Sequence, residues 1–216
     1  MVASKAGCSM ATAFVRGVLS MSANKPIILA SGSPRRAELL RQIGVEFEIV
    51  PADIDETPAP NEQAADYVQR MAREKASAVA KEFPNQVVLA ADTSVIVDGE
   101  IWGKPSDRQH AKVMLAGLSG RSHQVLTALA IFYGGDVALE LNVTDVSFAT
   151  LTAEQIDSYV ASGDADDKAG AYGIQGAAGC FVKHLNGSYS GVMGLPLYET
   201  AVLLGKAGIM LEPANE

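Results

Sequence analysis

The 216-residue sequence predicts an α/β protein. Three observations lead there. A short apolar run, Pro26–Ala30, passes through a Ser-Gly-Ser turn into an amphipathic segment, Ala37–Ile43. Val87–Ala91 is an unbroken apolar run of strand length, as expected of a central strand buried on both faces. Two longer strand-like runs, His123–Phe132 and Val137–Ala149, meet at Gly134-Gly135, a hairpin signal. The length gives one large domain or two small lobes, with ample chain to bury a core.

The elements follow in order. Pro26–Ala30 reads as a strand. Ser33 suits a helix N-cap, its hydroxyl accepting a first-turn N–H, and Pro34 suits the first helical position. Gly44 stops that helix as a C′ glycine does. Phe47–Val50 is a second strand. The run from Pro51 to Pro60 holds three prolines and the acids Asp53, Asp55 and Glu56, hence an acidic loop; clustered carboxylates on a loop can take a hard divalent cation. A long helix begins at Asn61 or Glu62 and reaches about Glu82. Its apolar stripe carries Ala64, Tyr67, Val68, Met71, Ala72, Ala78 and Val79. Lys75 points with that stripe, so it either finds a partner or snorkels its charge to water. Arg70 and Glu74 make an i, i+4 pair on the outer face.

Asp92 follows Val87–Ala91 directly, at what reads as the carboxyl end of a strand, where ligands of open α/β sheets lie. With Thr93 beside it, it is a candidate for metal binding or base catalysis. The strand resumes over Val95–Val97, turns at Asp98-Gly99 and returns over Glu100–Trp102. Ser106 to Gln109 has capping-box spacing for a helix to about Leu118. After the long hairpin, Thr152 to Gln155 is a second capping box, opening a helix through Val160. Between Gly163 and Gly194 lie eight of the 20 glycines, punctuated by large apolar residues, so this region is structured; Lys168 and Gln175 are its polar candidates. Asn186-Gly187-Ser188 is a turn. The last helix runs from Leu195 to about Leu204, and residues 209–216 read as a frayed tail.

Composition narrows the function. A net charge of −8 speaks against bulk electrostatic binding of nucleic acid. No apolar run reaches the roughly 20 residues of a membrane span. Cys8 and Cys180 lie far apart and make no metal-ligand spacing, the pattern of reduced cytosolic thiols. His110, His123 and His184 form no triad or metal spacing, and no serine sits in a nucleophile elbow. Met1–Asn24 carries Lys5 and Arg16 but no acid and lacks helical periodicity. It reads as a disordered extension of a domain spanning 25–208, with a targeting peptide or a start at Met21 as the alternatives. What remains is a local anion pocket: strand, small-residue turn, helix N-terminus, and Arg35 and Arg36, a combination suited to phosphate.

At this point the motifs gain a likeness. Ser31-Gly32-Ser33-Pro34-Arg35-Arg36, Asp55-Glu56-Thr57, Arg73-Glu74-Lys75-Ala76, Ala91-Asp92-Thr93, Gly103-Lys104-Pro105 and Ala171-Tyr172-Gly173-Ile174-Gln175-Gly176 occur in the order seen in the Maf family of nucleotide pyrophosphatases, which the sequence resembles from about Ile27 to Leu204. The resemblance implies a mixed, elongated, twisted sheet flanked by helices, with two lobes around a central cleft, of Maf/ITPase type, in a homodimeric cytoplasmic enzyme. It implies hydrolysis of a nucleoside triphosphate between the α- and β-phosphates with Mg²⁺ or Mn²⁺. Arg35, Thr93 and Gln175 look like the triplet of the dTTP/UTP branch, with a housecleaning role against non-standard pyrimidine nucleotides.

The roles that follow are expectations. Arg35, Arg36, Lys75 and Lys104 would neutralise the triphosphate, Ser33 and the helix amides would cradle it, and Lys168 would assist in binding. Glu56 and Asp92 would hold the metal and orient or deprotonate water, with Asp92 as proton acceptor. Gln175 can offer donor and acceptor to a pyrimidine edge. The alternatives are a broader modified-nucleotide hydrolase and a regulatory nucleotide- or nucleic-acid-binding protein linked to cell-division arrest.

Overall fold

The structure, a computed structural model, describes residues 26–211; Met1–Asn24 and the last residues of the tail lie outside them. Its elements are β1 (Ile27–Leu29), α1 (Pro34–Gln42), β2 (Phe47–Ile49), α2 (Ala64–Ala80), β3 (Val88–Val97), β4 (Glu100–Trp102), α3 (Arg108–Leu118), β5 (Ser122–Tyr133), β6 (Asp136–Phe148), α4 (Ala153–Ala161), β7 (Val182–Asn186), α5 (Tyr189–Val192) and α6 (Leu197–Lys206). The strands form one mixed sheet in the order β2-β1-β3-β5-β6-β7, with β4 added to β3. β1 runs parallel to β2 and β3; every other pairing is antiparallel.

Strand alternation sorts the side chains of β3 to two faces. Val88 and Ala90 join α2 in one core, with Tyr67, Met71 and Val79. Leu89 and Ala91 join α1 and α6 in a second core, with Leu40, Leu195 and Leu203. The long strands β3, β5 and β6 run on past these helices, and their far ends pack with α3 and α4 in a third core around Leu115, Phe148 and Tyr172. Two lobes on a shared, elongated sheet result, as the resemblance implies.

Several local expectations change. β3 is one continuous strand, because β5 pairs with it from Val88 to Ile96 without a break. Asp92 and Thr93 therefore lie mid-strand and not at a strand end. The cap of α3 is Asp107, whose carboxylate accepts from the His110 N–H at 2.8 Å; Ser106 does not cap. α2 starts at Ala64, because Glu62 is taken by Arg70 at 2.6 Å and by the Ala59 N–H. That contact also outranks the Arg70–Glu74 pair, which is 3.5 Å long. On the α2 stripe Ala76 and Ala80 are buried and Ala78 is half-buried. α6 reaches Lys206, and beyond it the Ile209 N–H still donates to the Leu204 carbonyl while Ile209 and Leu211 pack on the core.

Candidate active site

The site begins as a gap in the sheet. β5 covers one edge of β3. On the other edge β1 pairs only as far as Leu89, and β4 pairs only from Val95 onward. Between them the edge of β3 from Ala91 to Ser94 has no strand partner among the described residues. A cleft of about 670 Å³ opens there, within the range of sites for nucleotide-sized ligands. Because the edge is bare, the cleft reaches side chains from both faces of β3: Asp92 on the α2 face, Thr93 on the α1 face.

On the α2 face, Lys75 lies one helical repeat from Met71 and Val79, so the apolar stripe carries its ammonium inward. It is 8% exposed. A charge so placed is costly unless paired. Nζ lies 2.8 Å from Asp92 Oδ1 and 2.9 Å from Glu56 Oε1, so the partner alternative holds and the ammonium does not snorkel. Asp92 is 6% exposed. Glu56 comes from the proline-rich loop, which α2 pins down: the Tyr67 hydroxyl donates to the Glu56 carbonyl at 2.9 Å and Arg70 donates to Thr57 O at 3.2 Å. Burial, with Asp92 and Glu56 nearby, pushes the Tyr67 phenol up to about 12, so it stays a donor. Asp55 turns away and accepts from the Thr57 N–H at 2.9 Å.

On the other side, β1 delivers the Ser-Gly-Ser turn to the cleft. Ser33 holds the N-cap position with Pro34 after it, but its hydroxyl makes no capping bond; Ser31 Oγ accepts from the Ser33 N–H at 3.2 Å instead. The expected Ser33 cap is thus absent: the residue occupies the position, but its hydroxyl accepts no first-turn N–H. Among the described residues no protein acceptor meets the N–H groups of Arg35 and Arg36, so the positive end of α1 faces the cleft open.

The two arginines differ. Arg35 reaches across to Asp167 of the other lobe at 3.6 Å. Arg36 is held inside: Nε donates to Gly194 O at 2.8 Å, Nη1 to Ser31 Oγ at 3.0 Å and Nη2 to Thr93 Oγ1 at 3.2 Å. Burial lowers its pKa from the ordinary guanidinium value, against the Asp92 charge. Lys104, just after β4, is exposed and has no ion-pair partner among the described residues. Lys168 is spent on Asp167, 2.8 Å away, and Asp164, 3.0 Å away; that bond, with Arg35 in support, holds the Asp167 carboxyl below its usual range. Gln175 lines the cleft from an exposed position.

All ten residues singled out from the sequence line this one cleft. Five cationic side chains and three anionic ones face it, on a chain of net charge −8. Positive charge is therefore focused where the rest of the surface repels anions. Sequence reasoning did not single out Tyr67, Thr127, Asp167 or the turn Val192–Gly194. Tyr67 reads as core from its stripe, and Thr127 reads as an ordinary strand residue. Their roles depend on contacts across 11 to 158 residues of chain, with no local signature.

Comparison with known proteins gives a consistent picture. Residues 26–207 match the family described as Maf-like protein. A dTTP/UTP pyrophosphatase of Chromobacterium violaceum is 52% identical over 190 residues, covering 86% of this chain and 96% of that protein. The dTTP/UTP pyrophosphatase of Escherichia coli strain K12 is 54% identical over 191 residues, covering 88% and 97%. A Shigella flexneri protein named nucleoside triphosphate pyrophosphatase shows the same identity and coverage. Among solved structures, the Staphylococcus aureus Ham1 protein aligns with a TM-score of 0.43 and 17% identity over 58% of this chain and 72% of that one, too distant to carry an argument.

Proposed function

This chain belongs to the Maf-like protein family, and on that footing we propose that it hydrolyses dTTP and UTP to the nucleoside monophosphate and pyrophosphate. The observation that carries the reading is the Glu56–Lys75–Asp92 cluster facing the open N-terminus of α1 across one cleft. The named activities of relatives at 52% and 54% identity support the substrate class. Residues 25–208 are the catalytic unit of this proposal.

Arg35, Lys104 and the first-turn amides of α1 receive the triphosphate, with Ser33 beside them. Arg36 adds charge while bracing the turn, and Lys168 acts through Asp167 on Arg35. Asp92 takes a proton from water, which attacks the α-phosphorus in line. The bond from that phosphorus to the bridging oxygen breaks, and pyrophosphate leaves against Lys75 and Lys104. The nucleoside end lies on the Thr93 side, where Val192 and Met193 supply apolar surface, and Gln175, which lines the same cleft, supplies an amide.

A divalent cation, Mg²⁺ or Mn²⁺, is part of the proposal, with Glu56 and Asp92 to hold it. The donor set fits: Glu56 and Asp92 present carboxylate oxygens to the same Lys75 ammonium, at 2.9 and 2.8 Å, so the two groups are neighbours in the cleft, and both offer hard oxygens. Among the described residues no group of three or more His, Cys, Asp or Glu forms an all-protein cage, so substrate oxygens and water would complete the shell, as Mg²⁺ favours. When bound, the ion supplies charge neutralisation on the reacting and departing phosphates.

The proposal extends to a cytoplasmic homodimer with a housecleaning role. No helix among the described residues is long and apolar enough to cross a membrane, and among the described residues the Cys180 thiol forms no disulfide. The test is a panel of canonical and modified triphosphates with Mg²⁺ and with Mn²⁺, following pyrophosphate. Turnover highest with dTTP and UTP supports the reading; turnover confined to purine nucleotides, or binding without turnover, overturns it.

A further inference from the structure

A closed hydrogen-bond circuit lies behind the Thr93 wall of the cleft. Thr127, on β5 directly opposite Thr93, is fully buried. Its hydroxyl donates to the Gly191 carbonyl at 2.8 Å and lies 3.0 Å from Thr93 Oγ1. Gly191 O also takes the Gly194 N–H at 2.9 Å, and Gly194 O takes Arg36 Nε–H at 2.8 Å. Arg36 Nη2 returns to Thr93 Oγ1 at 3.2 Å. The ring ties α1, β3, β5 and the Gly191–Gly194 turn together. That turn tolerates no larger residue at its end: Gly194 has φ +109°, and a Cβ there would sit 3.3 Å from Arg36 Nε and 3.4 Å from Thr93 Oγ1.

The circuit has a direction. A hydroxyl has one proton. Thr127 gives its proton to Gly191 O, so in the Thr93–Thr127 contact Thr93 must be the donor. Arg36 has only donors, so it donates to Thr93. The Thr93 proton is therefore committed away from the cleft, and the one capacity its oxygen has left is to accept.

We propose that Thr127 is a specificity-positioning residue that locks the Thr93 hydroxyl as an acceptor-only group on the nucleoside side of the cleft. This rests on the pyrophosphatase reading and deepens it. An acceptor-only wall suits an imide N–H, which uracil and thymine present at N3. It opposes cytosine, whose N3 is itself an acceptor. Thr127→Val removes the acceptor for the Thr93 proton and frees it to turn to the cleft. Gly191 O keeps the Gly194 N–H, so the variant leaves that carbonyl paired.

The test compares kcat/KM for UTP and CTP, with melting temperature as a check on folding, in the wild type, Thr127→Val and Thr127→Ser. The expected result is a rise in the CTP:UTP ratio of about fivefold or more in Thr127→Val, the scale of one net hydrogen bond, carried by KM with kcat nearly unchanged, and a wild-type ratio in Thr127→Ser. Thr127→Ala gives the same comparison if valine is not accommodated. A ratio within twofold of wild type in a folded Thr127→Val or Thr127→Ala protein overturns the inference alone. A wild type that hydrolyses no triphosphate overturns the proposed function and the inference together.

Discussion

Asp92 and Lys75 sit 2.8 Å apart in a nearly dry corner of the cleft, and their arrangement separates stability from catalysis. Asp92→Asn removes the proposed proton acceptor but leaves Lys75 with Glu56 at 2.9 Å. Turnover is expected to fall at least ~100-fold, the scale of a lost general base, with a melting temperature close to wild type; steady-state pyrophosphate release beside a thermal melt checks both, and near wild-type turnover contradicts the role. Lys75→Met differs, since it strands the Asp92 carboxylate without its cation. His123 makes a separate prediction. Burial lowers its pKa to about 4, and its Nε2 pairs with the Tyr172 hydroxyl at 2.8 Å while Nδ1 has no partner among the described residues. The unfolded chain takes up this proton near pH 6.5 and the folded one only near 4, so stability falls as pH drops through that window, by up to about 3 kcal/mol at its lower end. Glu62, held down to about 2 by Arg70, loses its contribution only below about pH 4.5. Urea unfolding between pH 7 and 4.5 therefore isolates His123, and His123→Phe is expected to flatten that slope; an unchanged slope contradicts the assignment.

At the scale of elements, the Gly170 turn packs against the far end of β3 and the residue after β4, inside the α3/α4 lobe. Gly170 has φ +68°, its N–H donates to Gly103 O at 3.1 Å, and an added Cβ would lie 2.8 Å from Val95 Cγ2. Val95 is buried and β-branched, so it cannot swing away cheaply. Gly170→Ala is expected to cost about 2–4 kcal/mol from left-handed strain plus overpacking, read as a fall in denaturation midpoint; an unchanged midpoint contradicts the packing described. Most elements are legible in the sequence because their signals are local. Pro34 and Gly44 bracket α1, Asp98-Gly99 and Gly134-Gly135 turn the hairpins, and Thr152 and Gln155 form the capping box seen in the structure. The larger misreading comes from a long-range contact. The polar Asp92-Thr93 pair reads as a strand end, yet β5 pairs straight past it because the missing partner is on the opposite edge. The Ser33 misreading is local: the residue holds the N-cap position, yet its hydroxyl accepts no first-turn N–H. Thr127 carries no sequence signal, because its meaning depends on Gly191, 64 residues away.

At the scale of the molecule, the fold concentrates opposite charges that the chain scatters. Glu56, Lys75, Asp92 and Lys104 come from a loop, a helix, a strand interior and a strand end, and they meet because β1 and β4 leave the same edge of β3 bare between them. That gap exposes both faces of one strand to a single ligand, with charged groups toward α2 and the Thr93 circuit toward α1. In the reaction proposed, this cleft directs water to the α-phosphorus of a pyrimidine triphosphate. Hydrolysis of UTP in ¹⁸O-water tests it most directly. Equimolar UMP and pyrophosphate with the label in UMP are expected; label in pyrophosphate, or UDP and orthophosphate as products, rules out attack at the α-phosphorus.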